Sequence, residues 1–497
     1  MPDVRYVCIS DLHFGAENSI LTCLAPGGVV PDPDKPSTAM VALVDCLAEL
    51  VGKNEDTGKP TLILCGDVLE LALSTDNVAA MVFERFVQRV FPETGRLFAD
   101  TIYFIPGNHD HHLWESARER QYASYVRRHP VGEDLEPPWH TTRMFTEADP
   151  DPVEAELLTT LVRRYTHLRD VGVRTVYPNL ALRSRDGSRC VVIHHGHYVE
   201  GMYRLMTTLK DIVFPGRPTP KQVWEWEAEN FAWIDFFWST LGRSGDVGAD
   251  VGLVYASLQS DDAMARVASN LATGVSERLE GPRPLRWAEA KALHFLLTRL
   301  VRRVGRLERS HPAAALSDKA RAGLALYLEG PLLGQLQAEL DGAELPRQLT
   351  FVFGHTHKPF ELSLAAPGYP GPVAVYNTGG WVVDSLEPSP RQGGAVILLD
   401  EDLNAVSLRA YNQSADASSY RIRLNHVDDA SPGADTNPFY RRLQELVDPE
   451  RQPWSGLSSA AAALVPERHQ DLARLLNQGL GTPLAAGPAG RTRSSRR

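Results

Sequence analysis

Thr101-Ile102-Tyr103-Phe104-Ile105-Pro106-Gly107-Asn108-His109-Asp110 is an apolar run that breaks into a glycine and three polar side chains. A short, near-continuous apolar run reads as a strand covered on both faces. The same pattern recurs four times. Val4 to Ile9 ends at Ser10-Asp11-Leu12-His13, and Thr61 to Leu64 ends at Gly66-Asp67. Cys190 to Ile193 ends at His194-His195-Gly196-His197, and Thr350 to Phe353 ends at Gly354-His355-Thr356-His357. Helical patterns separate the early runs. Residues 38–51 place Met40, Val44, Leu47 and Val51 at helical spacing, and 77–91 and 113–128 also read as helices. Alternating strands and helices predict an α/β architecture. In such sheets ligands collect beyond the carboxyl ends of the strands. All five polar clusters fall there, so the fold is expected to gather them at one edge.

The gathered side chains suit one chemistry. Phosphoester hydrolysis needs charge neutralised on the phosphoryl oxygens and water converted to hydroxide near neutral pH, and two divalent cations do both. Carboxylate, amide oxygen and imidazole are suitable donors, and the clusters supply Asp11, His13, Asp67, Asn108, His195, His355 and His357. Asp11 and His13 are two apart at a strand end, where alternate side chains point the same way, so both are expected to face one ion. His355 and His357 repeat that spacing. Asp67, isolated after a glycine, suits bridging two ions through its two oxygens, and Asn108 offers a neutral oxygen.

The ordered blocks Asp11-x-His13, Gly66-Asp67, Gly107-Asn108-His109-Asp110, His195-Gly196 and Gly354-His355-x-His357 resemble the signature of the calcineurin-like metallophosphoesterase superfamily. The likeness covers residues 4–197 and 349–411. It implies a four-layer α/β/β/α sandwich with a dinuclear centre of manganese, iron or zinc. By motif position Asp11, His13 and His357 would hold the first metal ion. Asn108, His195 and His355 would hold the second, with Asp67 and a hydroxide between them. The hydroxide would attack phosphorus, His109 would protonate the leaving oxygen, and Asp110 would orient or charge-tune His109. His195 is preferred to His194 because it directly precedes Gly196, as in the family pattern. Protein Ser/Thr phosphatases of this superfamily carry Asp-Arg-Gly in the second block, whereas Asp67 is followed here by Val68-Leu69-Glu70. The pattern looks more like bacterial phosphodiesterases and, loosely, the UDP-2,3-diacylglucosamine pyrophosphohydrolase branch. A phosphodiester or pyrophosphate is therefore the expected bond.

Four segments follow. Residues 1–197 begin the metallophosphoesterase domain, 198–348 form a helical insertion or cap, 349–412 complete the domain, and 413–497 are a C-terminal extension with a disordered end. In the insertion, helical patterns fall near 221–241, 260–280, 284–308 and 314–341. On a helical wheel, Trp224, Phe231 and Trp238 form one ridge and Trp226, Trp233 and Phe237 another, with Glu225, Glu229, Asp235 and Ser239 opposite. The face reads as a packed cap helix, or as a lid over an apolar or lipid-linked part of a phosphorylated substrate. Its acidic polar side counts against resting on an anionic membrane, though peripheral membrane contact stays open. Arg299, Arg302, Arg303, Arg306 and Arg309 form a basic helical segment that reads as a solvated or salt-bridged face. Asp400 to Asn404 suits a hairpin turn, and Asn377 to Trp381 a turn at the site rim. The extension carries helical patterns at 437–449 and 458–478.

The 497 residues are 43% hydrophobic and 23% charged, an ordinary globular balance, with formal net charge −11. That charge argues against broad nucleic-acid binding, so a nuclease is the weaker alternative, beside a non-catalytic metal-binding scaffold. Five cysteines without a CxxC pair fit free thiols. The absence of a secretory pattern near the first residues leads to an expected cytoplasmic location.

Overall fold

The computed structural model describes residues 1–148, 152–240, 314–427 and 437–480. Its strands are β1 (Tyr6–Ile9), β2 (Thr22–Leu24), β3 (Pro31–Pro36), β4 (Thr61–Leu64), β5 (Thr101–Phe104), β6 (Val153–Glu154), β7 (Gly172–Thr175) and β8 (Asn179–Arg183). They continue with β9 (Arg189–His194), β10 (Gln348–Phe353), β11 (Phe360–Leu364), β12 (Val373–Asn377), β13 (Gly393–Leu399), β14 (Ala405–Asn412) and β15 (Arg423–Asn425). One sheet runs β15-β14-β13-β1-β4-β5-β7-β6, a second runs β11-β12-β10-β9-β8, and β2-β3 form a small ribbon. In the first sheet β1, β4, β5 and β7 are parallel neighbours. In the second, β9, β10 and β12 are parallel.

The apolar runs become strands buried on both sides because successive side chains face opposite layers. Val7 and Ile9 belong to the core under the outer helices, whereas Cys8 belongs to the core between the sheets. Leu62 and Leu64 alternate with Ile63 in the same way. In the second sheet Phe351 and Phe353 face the outer helices while Val352 faces the first sheet. The middle layer joins Cys8, Ile63, Val191, Ile193, Val352 and Ile397 from both sheets.

Helices cover the two outer faces. Outside the first sheet lie α1 (Thr38–Val51), α2 (Asp76–Val90), α3 (His111–Arg128) and α4 (Glu156–Arg163). The apolar spacing read in 38–51 is the buried face of α1: Met40, Leu43, Val44, Leu47 and Leu50. Ser37 caps that helix by accepting from Met40 N at 3.0 Å, a contact that contributes about 1 kcal/mol. Residues 198–348 supply α5 (Leu205–Val213), α6 (Val223–Ile234), α7 (Asp318–Tyr327) and α8 (Leu333–Glu339). Trp226, Leu324, Tyr327, Leu328 and Leu336 pack there with Phe351 and Phe353 of the second sheet. The extension adds α9 (Pro438–Leu446) and α10 (Trp454–Leu480), whose Phe439, Leu443, Trp454, Leu457 and Val465 join the first outer core. The arrangement is the four-layer α/β/β/α sandwich.

Residues 400–404 turn as expected between antiparallel β13 and β14. The helical-wheel reading of 224–239 does not carry through. Trp224 is 52% exposed while Trp238, on the same ridge, is fully buried. After Ile234 the helix widens into a π turn at Asp235–Ser239, which shifts the angular register by which the ridge was drawn. Ser239, placed on the polar face, is buried and accepts a hydrogen bond from His112 N at 2.9 Å. The helical patterns at 260–280 and 284–308, the five arginines 299–309 and the tail after 480 lie outside the described residues. No helix among the described residues is long and apolar enough to cross a membrane. All five cysteines are free.

Candidate metal centre

β1, β4 and β5 of one sheet and β9 and β10 of the other end at a common edge, where their loops are tied by backbone hydrogen bonds. Asp11 N donates to Gly66 O at 2.9 Å, His13 N to Asp67 O at 2.9 Å, and Gly354 N to His195 O at 2.7 Å. The backbone leaves the extended region at the ligand positions. Asp11, His13, Asp67, His355 and His357 have φ of 53°, 45°, 50°, 67° and 56°. Left-handed backbone is uncommon for residues with a Cβ, though less so for Asp and His, and such conformations gather at functional sites. The convergence of Asp11 with His13 therefore comes from two left-handed residues beyond β1, and strand alternation, the expected cause, does not produce it. Gly354 is required by space: a Cβ there would collide with Ser10 and the Asp11 carboxylate.

Three overlapping groups have donor atoms within 4.8 Å of one another: Asp11 with His13 and His357, His13 with Asp67 and His109, and Asp67 with His195 and His355. Asn108 joins the last, its Oδ1 lying 3.0 Å from His195 Nε2. His355 Nδ1 is 3.3 Å from the same nitrogen, and His357 Nε2 is 3.1 Å from Asp11 Oδ1. Asp67 stands between the groups. Its Oδ1 accepts from His109 N at 2.7 Å, while Oδ2 lies 3.3 Å from His195 Nε2 and 3.7 Å from His13 Nε2. The atom facing both groups is thus Oδ2 alone, where bridging by both oxygens was expected. All eight side chains, His109 included, are buried.

These residues fit divalent cations. His13 Nε2 is buried without a hydrogen-bond partner, an arrangement that costs free energy unless a ligand takes the lone pair. The opposite nitrogens are occupied, as ligating imidazoles require. His13 Nδ1 is bonded to Glu70 Oε2 at 2.8 Å, His195 Nδ1 to Cys65 O at 3.0 Å, and His357 Nδ1 to Asp384. Electrostatics agree. Burial opposes charge on His357, yet Asp384 and Asp11 raise it to about 10. Burial likewise opposes charge on His195, yet Asp67 raises it to about 9. The carboxylates thus call for positive charge at these nitrogens, which a cation supplies in place of protons.

His194 differs. It ends β9 on the opposite face from His195, against Tyr198, Tyr327 and Phe351. Burial and the neighbouring His195 hold it well below the usual histidine range. The structure thus brings His195 into the cluster and leaves His194 outside.

Glu70 is the residue sequence reasoning passed over as a participant. Its Oε1 is 2.8 Å from His109 Nδ1 while Oε2 holds His13. Burial opposes its ionisation, but His109 and His13 keep the carboxyl far below the usual range. The hydrogen bond that orients the His109 ring thus comes from Glu70, three residues after Asp67, and not from Asp110. Asp110 instead accepts from Gly107 N at 2.7 Å, Val68 N at 2.7 Å, and Asp67 N and Leu69 N at 3.3 Å. Burial, reinforced by the charge of Asp67, pushes its carboxyl up to about 7. Asp110 therefore joins the second and third loops. Asp110→Ala strands those amides in a buried site, and the expected loss is about 3 kcal/mol of stability, measured from denaturant midpoints of the metal-free protein.

Asn377 to Trp381 lies inside the rim as a support. Asn377 Nδ2 donates to Gly354 O at 2.8 Å, and Trp381 N donates to Asp11 O at 3.0 Å. The insertion reaches the site directly: Tyr203 stacks edge-on to His355 at 4.9 Å, and Trp238 packs on Tyr203 at 5.0 Å. His111 and His112, just after the His109 block, are held by Glu227 at 2.9 Å and Asp235 at 3.1 Å, one from α6 and one from the turn that follows it.

Comparison with known proteins agrees with this geometry. Among solved structures, the chain is similar to Phosphopantetheinyl Hydrolase (PptH) from Mycobacterium tuberculosis at 16% identity, over 76% of this chain and 89% of that chain, with a TM-score of 0.22. Superposition that loose carries no argument about activity. No curated protein matches the chain. The family model described as Calcineurin-like phosphoesterase matches residues 4–237. That stretch holds Asp11, His13, Asp67, Asn108, His109 and His195, and the fold adds His355 and His357 to the same cluster. The matched stretch is that of a calcineurin-like phosphoesterase, which supports a phosphoester hydrolase.

Proposed function

We propose that the protein hydrolyses a phosphodiester or pyrophosphate with two divalent cations held by Asp11, His13, His357, Asn108, His195 and His355 and bridged by Asp67. The observation that carries this reading is the pair of donor groups sharing Asp67. Bound there, the cations would neutralise the phosphoryl oxygens and make hydroxide available near neutral pH. The chain supplies the rest. Glu70 fixes the His109 ring through Nδ1, so Nε2 is the nitrogen from which a proton would pass to the leaving oxygen. A general acid needs hydrogen-bond reach to that oxygen, and His109 N is anchored on Asp67 itself. Glu70 and Asp384 keep His13 and His357 in the orientation that presents Nε2 inward. The Val68-Leu69-Glu70 continuation in place of Asp-Arg-Gly supports a diester or pyrophosphate over a phosphoprotein.

Metal loading tests the reading. Purified protein reconstituted with manganese is expected to carry two ions per chain by elemental analysis and to hydrolyse bis-p-nitrophenyl phosphate. Removing the metal with a chelator is expected to abolish turnover and lower the thermal midpoint, because a ligand bound only by the folded state stabilises it, by about 2.7 kcal/mol at a hundredfold excess over Kd. Fewer than one ion per chain after loading would favour a non-catalytic scaffold.

A further inference from the structure

We propose that the C-terminal helix α10 is a positioning element for the first metal site, acting through Arg468 on the loop that carries Asp11 and His13 and through His469 on the loop whose Asp384 holds His357. This rests on the dinuclear reading above and adds a role for the extension, which lies outside the matched family stretch.

The contacts run in two short chains. Arg468 is 2% exposed, although a guanidinium in water needs no such shelter. Its Nη2 donates to Thr22 O at 2.9 Å and its Nε to Ser19 O at 3.3 Å. Ser19 Oγ in turn donates to Leu12 O at 2.8 Å, the carbonyl between Asp11 and His13. Thr22 Oγ1 accepts from Gly15 N at 3.1 Å, two residues beyond His13. The next residue of the helix, His469, is hydrogen-bonded through Nδ1 to Ser385 O at 2.7 Å. Ser385 follows Asp384, whose carboxylate holds His357 Nδ1. The loops are also joined to each other: Asn18 Nδ2 donates to Asp384 Oδ1 at 3.2 Å, and Val383 N donates to Asn18 O at 3.0 Å.

Each donor of the first site is therefore reached from adjacent residues of one helix through two hydrogen bonds and a short stretch of backbone. The supports of His195 and Asn108 come instead from Cys65 O and from within their own cluster, while His355 N donates to the Asp11 carboxylate at 2.9 Å, a direct link between the two donor sets. The helix is anchored independently, with Trp454, Leu457, Ala461 and Val465 buried in the outer core. It can thus hold the loops without depending on them. Groups that orient metal ligands typically change affinity 10–100-fold when removed, so the effect should fall on one site.

Manganese titration of the full chain, followed by calorimetry, tests this in two single-site backgrounds. His195→Ala leaves the Asp11, His13 and His357 donors, and His13→Ala leaves the Asn108, His195 and His355 donors. Adding Arg468→Met, which keeps the apolar stem, or His469→Leu is expected to raise Kd about tenfold or more in the first background and under about twofold in the second. His469→Gln, which can still donate to Ser385 O, is expected to restore most of the loss. Leu457→Ala serves as the stability control: it loosens the same helix and lowers the metal-free thermal midpoint, yet leaves both Kd values within about twofold. Equal weakening in both backgrounds, no change in either, or a Leu457→Ala effect matching Arg468→Met would overturn the proposal. If the unsubstituted chain binds no manganese, the dinuclear reading fails with it. If the unsubstituted chain binds two ions and Arg468→Met binds them equally well, only the positioning role fails.

Discussion

Replacing Asp67 with asparagine is expected to lower kcat/KM on bis-p-nitrophenyl phosphate on the order of 10³-fold, with the fold kept. Asparagine is isosteric and can still accept from His109 N, the contact that Oδ1 makes at 2.7 Å. What it loses is the negative charge on Oδ2, the atom facing both His195 and His13. A preorganised group that stabilises charge in a buried site contributes about 10²–10³ in rate, and loss of metal affinity adds to this. Circular dichroism and thermal melting check that the protein remains folded. Manganese stoichiometry is expected to fall below two ions per chain. Unimpaired turnover in Asp67→Asn would remove Asp67 from the mechanism and, with it, the shared centre.

The second large effect depends on the leaving group. His109→Ala is expected to reduce kcat about 10³-fold for a diester with an alkyl alcohol leaving group, but less than about tenfold for a p-nitrophenyl ester, because general acid catalysis contributes 10²–10⁴ only where the leaving oxygen needs a proton. p-Nitrophenolate is stable as an anion near neutral pH and leaves without one. A merely structural role for His109 would depress both substrates equally, so the ratio of the two losses is the measurement. The Glu70 contact makes the variant informative in another way. Its Oε2 still holds His13 after the imidazole is removed, so manganese stoichiometry is expected to stay at two. An equal fall on both esters would assign His109 to scaffolding.

The same comparison separates what is local in this protein from what is not. The five donor blocks were legible because each is a short window with two strong signals. An apolar run alternates between two cores, as Val7, Cys8 and Ile9 do, and ends in residues that a strand does not need. The choice of His195 over His194 rested on the family pattern at Gly196, and the fold places His195 in the donor cluster and His194 among Tyr198, Tyr327 and Phe351. The hairpin turn at 400–404 and the buried face of α1 were equally local.

The supports of the site were not legible. A buried carboxylate and a solvated one are identical letters, and nothing near Glu70 says that it divides its oxygens between His13, 57 residues before it, and His109, 39 residues after it. The reading of Asp110 as the partner of His109 came from its motif position in the family resemblance, whereas its carboxylate turns to backbone amides of two loops. The wheel drawn for 224–239 assumed one helical pitch, which the π turn breaks.

By itself, the sequence determined which side chains with cation-binding chemistry stand at strand ends, because donor type and strand burial are written in a few consecutive residues. Only the tertiary structure decided how those side chains are aimed. Left-handed backbone at Asp11, His13, Asp67, His355 and His357 and hydrogen bonds from Glu70, Asp384 and α10 arise from contacts between distant segments. No local preference specifies such contacts, since each becomes favourable only when the surrounding packing excludes water from the groups that make it.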